Sequence, residues 1–238
     1  MMPAAAVLAP AIAAALALVL WLPSRGLYET EVGDQQLVAL DDGTQVKLDT
    51  DTRIRVRFAA GERRVVLEQG QALFTVAHDA ARPFRVDAGG AEVTALGTVF
   101  DVRREPTGAR VTLVEGSVAV TDVQAGAGTW RLSPGQQVRT SRRDPSPVAV
   151  DASVATSWTR GRLVFKATPL RDAVAEVNRY LTDKIVLAAG PASDVAVNGS
   201  FATGDRDAFV AAVSDLFGLS AEPQADGGVR LAARSVGG

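Results

Sequence analysis

The sequence contains no cysteine and only one histidine, His78. The lack of cysteine excludes disulfides, thiolate nucleophiles and sulfur-bound metals, and a single imidazole excludes a cluster of histidine ligands. Only carboxylate sites for hard cations remain, and we predict neither a metal nor a cofactor. His78 follows an apolar run in a polar stretch, which is typical of a solvated loop residue.

An excess of one charge is also missing, because 25 basic and 27 acidic side chains leave a net charge of −2. A positive field that draws a protein onto phosphate backbones is therefore absent. We expect no nucleic-acid partner. Enzyme signatures are missing as well: the sequence has no Gly-x-Ser-x-Gly elbow, no phosphate-binding loop and no His-Glu-x-x-His. We predict that the protein is not an enzyme.

Residues 1–24 contain no charged side chain and are rich in alanine and leucine. A run of about 20 apolar residues can cross the hydrocarbon core of a bilayer. Trp21 closes the run and Arg25 follows it, as expected at a membrane–water boundary. We interpret the segment as a single transmembrane anchor. A cleaved signal peptide is the alternative, but its cleavage pattern at residues 15–17 falls inside the apolar run.

Residues 30–141 follow the pattern of consecutive short strands. Arginine alternates with Ile, Val and Phe over residues 53–58, which predicts one buried and one solvated face. Four turns share the form Leu-x-x-Gly, in which glycine tolerates the positive φ of a reversal. They occupy residues 40–43, 67–70, 113–116 and 132–135. The pattern predicts a mainly β domain and leaves open a repetitive solenoid-like coil or a sandwich.

Residues 142–157 carry prolines and small polar residues without a period, which predicts a linker. The sequence pattern changes after this linker, and the pattern of residues 158–234 predicts a small α+β domain of two strand-helix-strand units. Thr168 is expected to cap the first helix with Pro169 at its first position. The expected apolar stripe of this helix is Leu170, Ala173, Val174, Val177 and Leu181.

A second helix is expected to start at Asp205 and to stop at Gly218 in the left-handed conformation. Its expected buried face consists of Phe209, Ala212, Val213 and Leu216.

Two patterns of charged residues are interpreted as structural and not as functional sites. Asp41 and Asp42 precede a glycine between two strands, where such residues usually form turns. The five arginines near the first alternating strand are interpreted as a solvated strand face, although they would also suit an acidic partner. They are Arg53, Arg55, Arg57, Arg63 and Arg64.

Seven short motifs together resemble the FecR family of inner-membrane signalling proteins. They are DGTQVKL (42–48), GQALFTVA (70–77), RPFRV (82–86), LGTVFDV (96–102), VEGSV (114–118), LSPGQ (132–136) and WTRGRLVF (158–165). The C-terminal unit, with Arg179-Tyr180 and GSF at 199–201, is similar to the small domain found at the amino terminus of secretins and TonB-dependent receptors.

The resemblance implies a single-pass inner-membrane protein with its bulk in the periplasm. An outer-membrane TonB-dependent transducer, loaded with an iron chelate, would present its signalling domain to this part. In the family a cytoplasmic helical domain holds an extracytoplasmic-function sigma factor, which proteolysis ending with a site-2 protease releases. We expect that this domain is not encoded here, because the sequence starts at the apolar segment.

The resemblance also implies a reactive peptide bond, because in some family members the Gly-Thr bond of the matching motif breaks spontaneously. The equivalent residues are Gly97 and Thr98. The residues alone favour a simpler interpretation, with Gly97 at a bulge and Thr98 as an ordinary strand residue.

Two other functions remain open from the sequence. One is an envelope protein that binds or hydrolyses carbohydrate on a repeated β scaffold, although no spacing of carboxylates supplies its catalytic pair. The other is a structural assembly subunit.

Overall fold

The computed structural model of the protein describes residues 26–124, 126 and 128–234. The transmembrane anchor expected at residues 1–24 lies outside these residues. Within the described part of the chain, no helix is long and apolar enough to cross a bilayer. Strand accounts for 48% and helix for 17%, and several sheets are present without a closed barrel, which confirms the expected mainly β fold.

Fourteen strands of the described chain form two seven-stranded sheets. In chain order they are β1 (Leu27–Glu29), β2 (Gln36–Ala39), β3 (Gln45–Leu48), β4 (Arg53–Ala59), β5 (Glu62–Gln69), β6 (Gln71–Thr75), β7 (Phe84–Ala88), β8 (Ala91–Ala95), β9 (Val99–Glu105), β10 (Gly108–Glu115), β11 (Val118–Asp122), β12 (Gly128–Leu132), β13 (Gln136–Arg139) and β14 (Val148–Ala149). The first sheet has the order β1-β4-β5-β7-β8-β11-β12 and the second β14-β13-β10-β9-β6-β3-β2. Within these sheets β5 and β7 pair in parallel, and the other neighbours are antiparallel.

The two sheets share one hydrophobic core. Period-two alternation turns every second side chain inward, so Val65 and Phe84 of the first sheet meet Phe74 and Phe100 of the second. The rings of Phe74 and Phe84 touch between the sheets with centroids 6.0 Å apart. Phe74 stacks on Phe100 within its own sheet at 5.3 Å. Burying each such ring stabilises the fold by about 2 kcal/mol or more, which fixes the sheets face to face.

The four Leu-x-x-Gly turns are confirmed. Gly43, Gly70, Gly116 and Gly135 have φ angles of 85°, 82°, 85° and 78°. At Gly70 crowding adds to the requirement, since a Cβ there would lie 2.2 Å from the Oγ1 atom of Thr52. These turns separate strands that mostly pass two at a time from one sheet to the other. The structure thus combines features of both expected architectures: two sheets packed face to face, as in a sandwich, and turns that repeat along the chain, as in a solenoid-like coil.

Residues 142–157, expected to be a linker, contain regular structure. Strand β14 pairs with β13, and a short helix, α1 (Ala152–Ala155), follows. The Asp151 side chain caps this helix by accepting a hydrogen bond from the Ser153 amide. A 3-10 helix (Ser157–Arg160) then leads into the C-terminal unit.

The C-terminal unit has its own apolar cluster. Its elements are β15 (Arg162–Pro169), α2 (Leu170–Val177), β16 (Ile185–Leu187), β17 (Ala196–Ala202), α3 (Arg206–Phe217), β18 (Leu219–Pro223) and β19 (Val229–Ala233). Strand β15 pairs with β17, while β16, β19 and β18 form a three-stranded sheet in that order. The order of strands and helices agrees with the two expected strand-helix-strand units, and β19 lies between β16 and β18 in the three-stranded sheet.

Two details of the helices differ from expectation. Thr168 does not cap α2, because β15 continues through Pro169 and its backbone pairs with β17. In α3 Phe209 and Val213 are buried as expected, but Leu216 is 68% exposed. The last turn packs Phe217 against the core instead. The ends of α3 are confirmed: Asp205 caps it, and Gly218 ends it with φ 64°.

The arginine face was only partly interpreted correctly. Arg53 and Arg57 are exposed, but Arg63 is 1% exposed. Its guanidinium contacts Asp42 at 2.8 Å and lies over the ring of Phe84. Asp42 is therefore a buried ion-pair partner as well as a turn residue.

Candidate functional site

The outer face of the second sheet is polar but covered. In β6 and β9 the core takes Phe74 and Phe100, so the alternate register turns Gln71 and Asp101 outward. The C-terminal unit packs on this face. We call the polar residues that meet there the junction cluster, and it consists of Asp49, Gln71, Asp101, Arg103, Trp158, Glu176, Arg179 and Tyr180.

Asp49 lies at one end of the junction cluster, directly after β3, and is fully buried. Arg179 Nη2 donates to its Oδ2 atom at 2.9 Å, and the Tyr180 hydroxyl donates to the same oxygen at 2.8 Å. Gln35 Nε2 donates to Oδ1 at 2.9 Å. Burial raises the pKa of Asp49, and the Arg179 charge and the Tyr180 hydrogen bond partly offset this rise.

Asp101 lies at the centre of the junction cluster. Its carboxylate accepts hydrogen bonds from Gln71 Nε2 at 2.9 Å and 3.0 Å and from the Trp158 indole at 3.1 Å. Burial raises the pKa of Asp101 to about 7, although both donors and the Arg110 charge act against the rise. Asp101, whose pKa is thus close to neutral pH, links the second sheet to the 3-10 helix that begins the C-terminal unit.

Glu176 on α2 lies between two arginines. Arg179 Nη1 contacts its Oε1 atom at 2.7 Å, and Arg103 Nη1 contacts Oε2 at 2.5 Å. Burial by itself would raise the pKa of Glu176, but the charges of Arg179 and Arg103 lower it to about 2. The side chain stays ionised and joins β9 to α2.

Backbone groups of the C-terminal unit complete the junction. Gln35 donates to the Trp158 carbonyl at 3.1 Å, and Lys47 donates to the carbonyl of Thr159. Leu73 of β6 also packs against the C-terminal apolar cluster. Buried polar networks with satisfied partners fix relative orientation. The junction therefore holds the two parts of the described chain in one arrangement.

Gly97 and Thr98, the residues expected to form a reactive bond, lie just before β9 and outside the junction cluster. Thr98 is buried, and its hydroxyl finds no hydrogen-bond partner among the described residues. Gly97 does not have a positive φ. Crowding accounts for the glycine, because a Cβ there would lie 2.6 Å from His78 Nδ1.

His78 is therefore a neighbour of the Gly97-Thr98 bond, and its side chain is mostly exposed. Gly116 also packs against this bond, since a Cβ at Gly116 would lie 2.7 Å from Thr98 Cγ2. Among the described residues no three His, Asp or Glu side chains converge as metal ligands.

Sequence reasoning placed five residues of the junction cluster in family motifs but assigned them no contact: Gln71, Asp101, Trp158, Arg179 and Tyr180. Asp49 was missed. A signal for Asp101 exists in the sequence, because it is a carboxylate between the apolar residues Phe100 and Val102. The covering of the outer face by a later part of the chain carries no local signal.

The FecR protein family model matches residues 26–119. We call residues 26–119 the FecR domain after this match. They include β1–β10 and contribute Asp49, Gln71 and Asp101 to the junction cluster.

Two crystal structures of a candidate anti-sigma factor from Parabacteroides distasonis ATCC 8503 are similar to most of this chain. The structure at 1.65 Å resolution has a TM-score of 0.76 and 26% identity, and covers 88% of this chain and 99% of its own. The structure at 2.50 Å gives a TM-score of 0.75 with the same identity and coverage. These shares require that the likeness extends past the FecR domain into the C-terminal unit. None of the curated proteins matches the chain.

Proposed function

We propose that the chain is a signal-transducing regulator of the anti-sigma type that transmits an extracytoplasmic signal through its FecR domain. The likeness to the candidate anti-sigma factor, which spans both the FecR domain and the C-terminal unit, is the observation that carries this proposal. A regulatory family supports a binding role rather than catalysis. A regulator of this type has a sigma factor as its partner.

The finer proposal follows the resemblance in the sequence. The chain is anchored in the inner membrane by residues 1–24, with the FecR domain and the C-terminal unit in the periplasm. Its inducing partner is the signalling domain of a TonB-dependent outer-membrane transducer loaded with an iron chelate. A site-2 protease completes the release of an extracytoplasmic-function sigma factor.

The partner surface is the outer edge of the three-stranded C-terminal sheet. Strand β16 pairs with β19 on one side only, and its Val186 side chain is 51% exposed. An unpaired edge offers backbone donors and acceptors to an added strand. Because the junction cluster fixes this unit on the FecR domain, a partner bound at β16 acts on both parts together.

Binding of a cognate transducer signalling domain to the purified protein tests this surface. Val186→Lys places a charge on the edge and is expected to weaken binding by about tenfold or more. Leu37→Lys is the matched control, because Leu37 is an exposed apolar residue on β2, an edge strand of the FecR domain. Equal binding by both variants would contradict β16 as the partner surface. Absence of binding by the wild type would contradict the transducer as the partner.

The regulatory role has a separate test in cells. A reporter driven by the cognate sigma factor should change its output when the gene for this chain is deleted and recover when it is restored. An unchanged reporter would contradict the regulatory role whatever the β16 variants bind.

The Gly97-Thr98 bond is the proposed point of self-cleavage. The Thr98 Oγ1 atom attacks the carbonyl carbon of Gly97, the C–N bond breaks, and an ester with a free Thr98 amine results. One water then hydrolyses the ester, which leaves a Gly97 carboxylate and restores the hydroxyl. The buried and unpartnered Thr98 hydroxyl supports this assignment, since no competing hydrogen bond within the described residues holds it.

A further inference from the structure

Three arginines form a row across three neighbouring strands of the second sheet. Arg110 on β10 is paired in register with Arg103 on β9 and with Arg139 on β13. Side chains directly opposite one another in an antiparallel pair have Cβ atoms about 5 Å apart, and like charges there are destabilising. A row of three guanidinium groups needs anions close by.

Among the described residues, the carboxylates near the row form no hydrogen bond with Arg110 or Arg139. Arg103 is satisfied by Glu176, which also binds Arg179. The Oε1 atom of Glu105 lies 3.9 Å from Arg110 Nε and 3.8 Å from Arg139 Nε, beyond hydrogen-bond distance.

Neither Arg110 nor Arg139 donates a side-chain hydrogen bond to any residue that the structure describes. Asp172, at the same opening, is mostly exposed and lies nearer to Arg171 than to the row. The Arg110 side chain is only 21% exposed, so solvent does not freely replace the missing acceptors. Burial and the charges of Arg103 and Arg139 lower the pKa of Arg110 to about 10, and the charges of Glu176 and Asp101 offset this only in part.

The row opens into a cleft of about 470 Å³ between the second sheet and the C-terminal unit. The facing wall contains apolar surface from α1, the 3-10 helix and β15, including Val154, Trp158 and Val164. This volume falls in the range of small-ligand sites, which combine apolar walls with a few convergent polar groups. Planar guanidinium groups bind carboxylate or phosphate oxygens through paired N–H donors.

We infer that this cleft is a binding site for a small oxyanion that carries an apolar group, with Arg110 and Arg139 as its anion ligands. The anionic end takes the donors that the protein leaves unused, and the apolar part lies against the wall formed by the C-terminal unit. The site is independent of the transducer and sigma-factor partners proposed above.

Calorimetric titration of the full chain in mild detergent at constant ionic strength tests the site. The probes are inorganic phosphate, N-acetylphenylalanine and the neutral N-acetylphenylalaninamide. We expect both anions to bind and to compete with each other, with N-acetylphenylalanine the tighter, and the amide not to bind. Competition between the two anions distinguishes a shared oxyanion site from two unrelated ones. The difference in affinity between N-acetylphenylalanine and phosphate shows whether the apolar wall contributes to binding.

Three variants locate the binding. Arg110→Gln should weaken it by about tenfold or more, since two charge-assisted hydrogen bonds are lost. Arg110→Lys keeps the charge but loses the planar fork and should also weaken binding, which keeps the test valid if Arg110→Gln folds poorly. Arg57→Gln, at an exposed arginine on β4, should leave binding unchanged. The inference is overturned if neither anion binds, if the amide binds as well as the acid, or if both Arg110 variants match the wild type.

Discussion

Arg179 of the C-terminal unit donates to the fully buried carboxylate of Asp49, across the junction with the FecR domain, at 2.9 Å. The two residues are 130 positions apart in the sequence. Few other groups could balance this carboxylate, since it lies where water is excluded and its remaining donors, Tyr180 and Gln35, are neutral. The contact makes the position of the C-terminal unit a condition for the stability of the FecR domain.

Replacing Arg179 by Leu is therefore expected to destabilise the protein strongly. Removal of one partner from a buried pair leaves an uncompensated charge and costs about 3 kcal/mol or more. Urea unfolding of the wild type and the variant measures the change. Arg53→Gln is the matched control, because Arg53 pairs with Glu29 at 3.0 Å on the exposed surface, where a pair contributes less than about 1 kcal/mol. Similar losses in both variants would contradict the importance of the junction.

The stability of the protein should depend on pH through Asp101. Its pKa is 3.8 as a free side chain and about 7 in the folded protein. The folded state therefore holds the proton more tightly, and the contribution of Asp101 to stability is full below pH about 4 and is lost as the pH rises through about 7. The slope reaches at most about 1.4 kcal/mol per pH unit.

Asp101→Asn removes this titration, so the variant should gain stability relative to the wild type between pH 5 and pH 8. Asparagine keeps an acceptor for the Trp158 indole. Glu176 does not interfere, because its lowered pKa of about 2 places its effect at more acidic pH. Parallel curves of unfolding free energy against pH for the two proteins would show that Asp101 is ionised throughout.

Local patterns predicted the parts of the fold that depend on local physics. The four Leu-x-x-Gly turns were found because only glycine adopts their positive φ easily, and α3 was bounded correctly by its Asp205 cap and Gly218. Alternation identified the strand of residues 53–58. The interpretation of the arginines as a solvated face failed at Arg63, because period-two alternation in β5 turns this side chain inward with Val65 and Leu67. There Asp42 offers a charge and Phe84 a ring.

The candidate site was largely hidden from sequence reasoning. The contacts that cross between the FecR domain and the C-terminal unit join residues more than 50 positions apart, such as Asp101 with Trp158 and Arg103 with Glu176. Asp101 and Arg103 lie on the outer face of the second sheet, and only the packing of the C-terminal unit turns this face into an interface. The resemblance to FecR marked Trp158 and Arg179-Tyr180 as motif residues without indicating their partners.

The buried pair of Arg63 and Asp42 should behave differently when one or both partners change. Arg63 also donates to the carbonyls of Arg82 and Ala77, at 2.8 Å and 2.9 Å. Arg63→Gln leaves the Asp42 carboxylate buried without its charge and is expected to cost about 3 kcal/mol. Adding Asp42→Asn to this variant should recover part of the loss in urea unfolding. If the double variant loses as much unfolding free energy as Arg63→Gln and Asp42→Asn lose together as single variants, the two residues do not interact.

The division of the described chain at residues 142–157 stays a prediction. Limited proteolysis should cut first in the stretch rich in serine and proline before β14, because α1 is held by its Asp151 cap and the Lys166 ion pair at 2.7 Å. A fragment of residues 158–234 should fold by circular dichroism but with reduced stability, since Arg179 and Trp158 lose their partners. First cleavage inside β15–β19, or an unfolded fragment, would contradict the two-domain interpretation.

Self-cleavage at Gly97-Thr98 should depend on the Thr98 hydroxyl. Mass spectrometry of protein purified under denaturing conditions is expected to show a fragment that begins at Thr98. Thr98→Ala should give one intact mass, while Thr98→Ser, which keeps the nucleophile, should retain some cleavage. Since Thr98 Cγ2 packs at Gly116, both variants remove the same methyl contact, and any difference between them belongs to the hydroxyl. An outside protease, by contrast, would cut all three proteins, and a single intact mass in the wild type would leave Thr98 with a packing role alone.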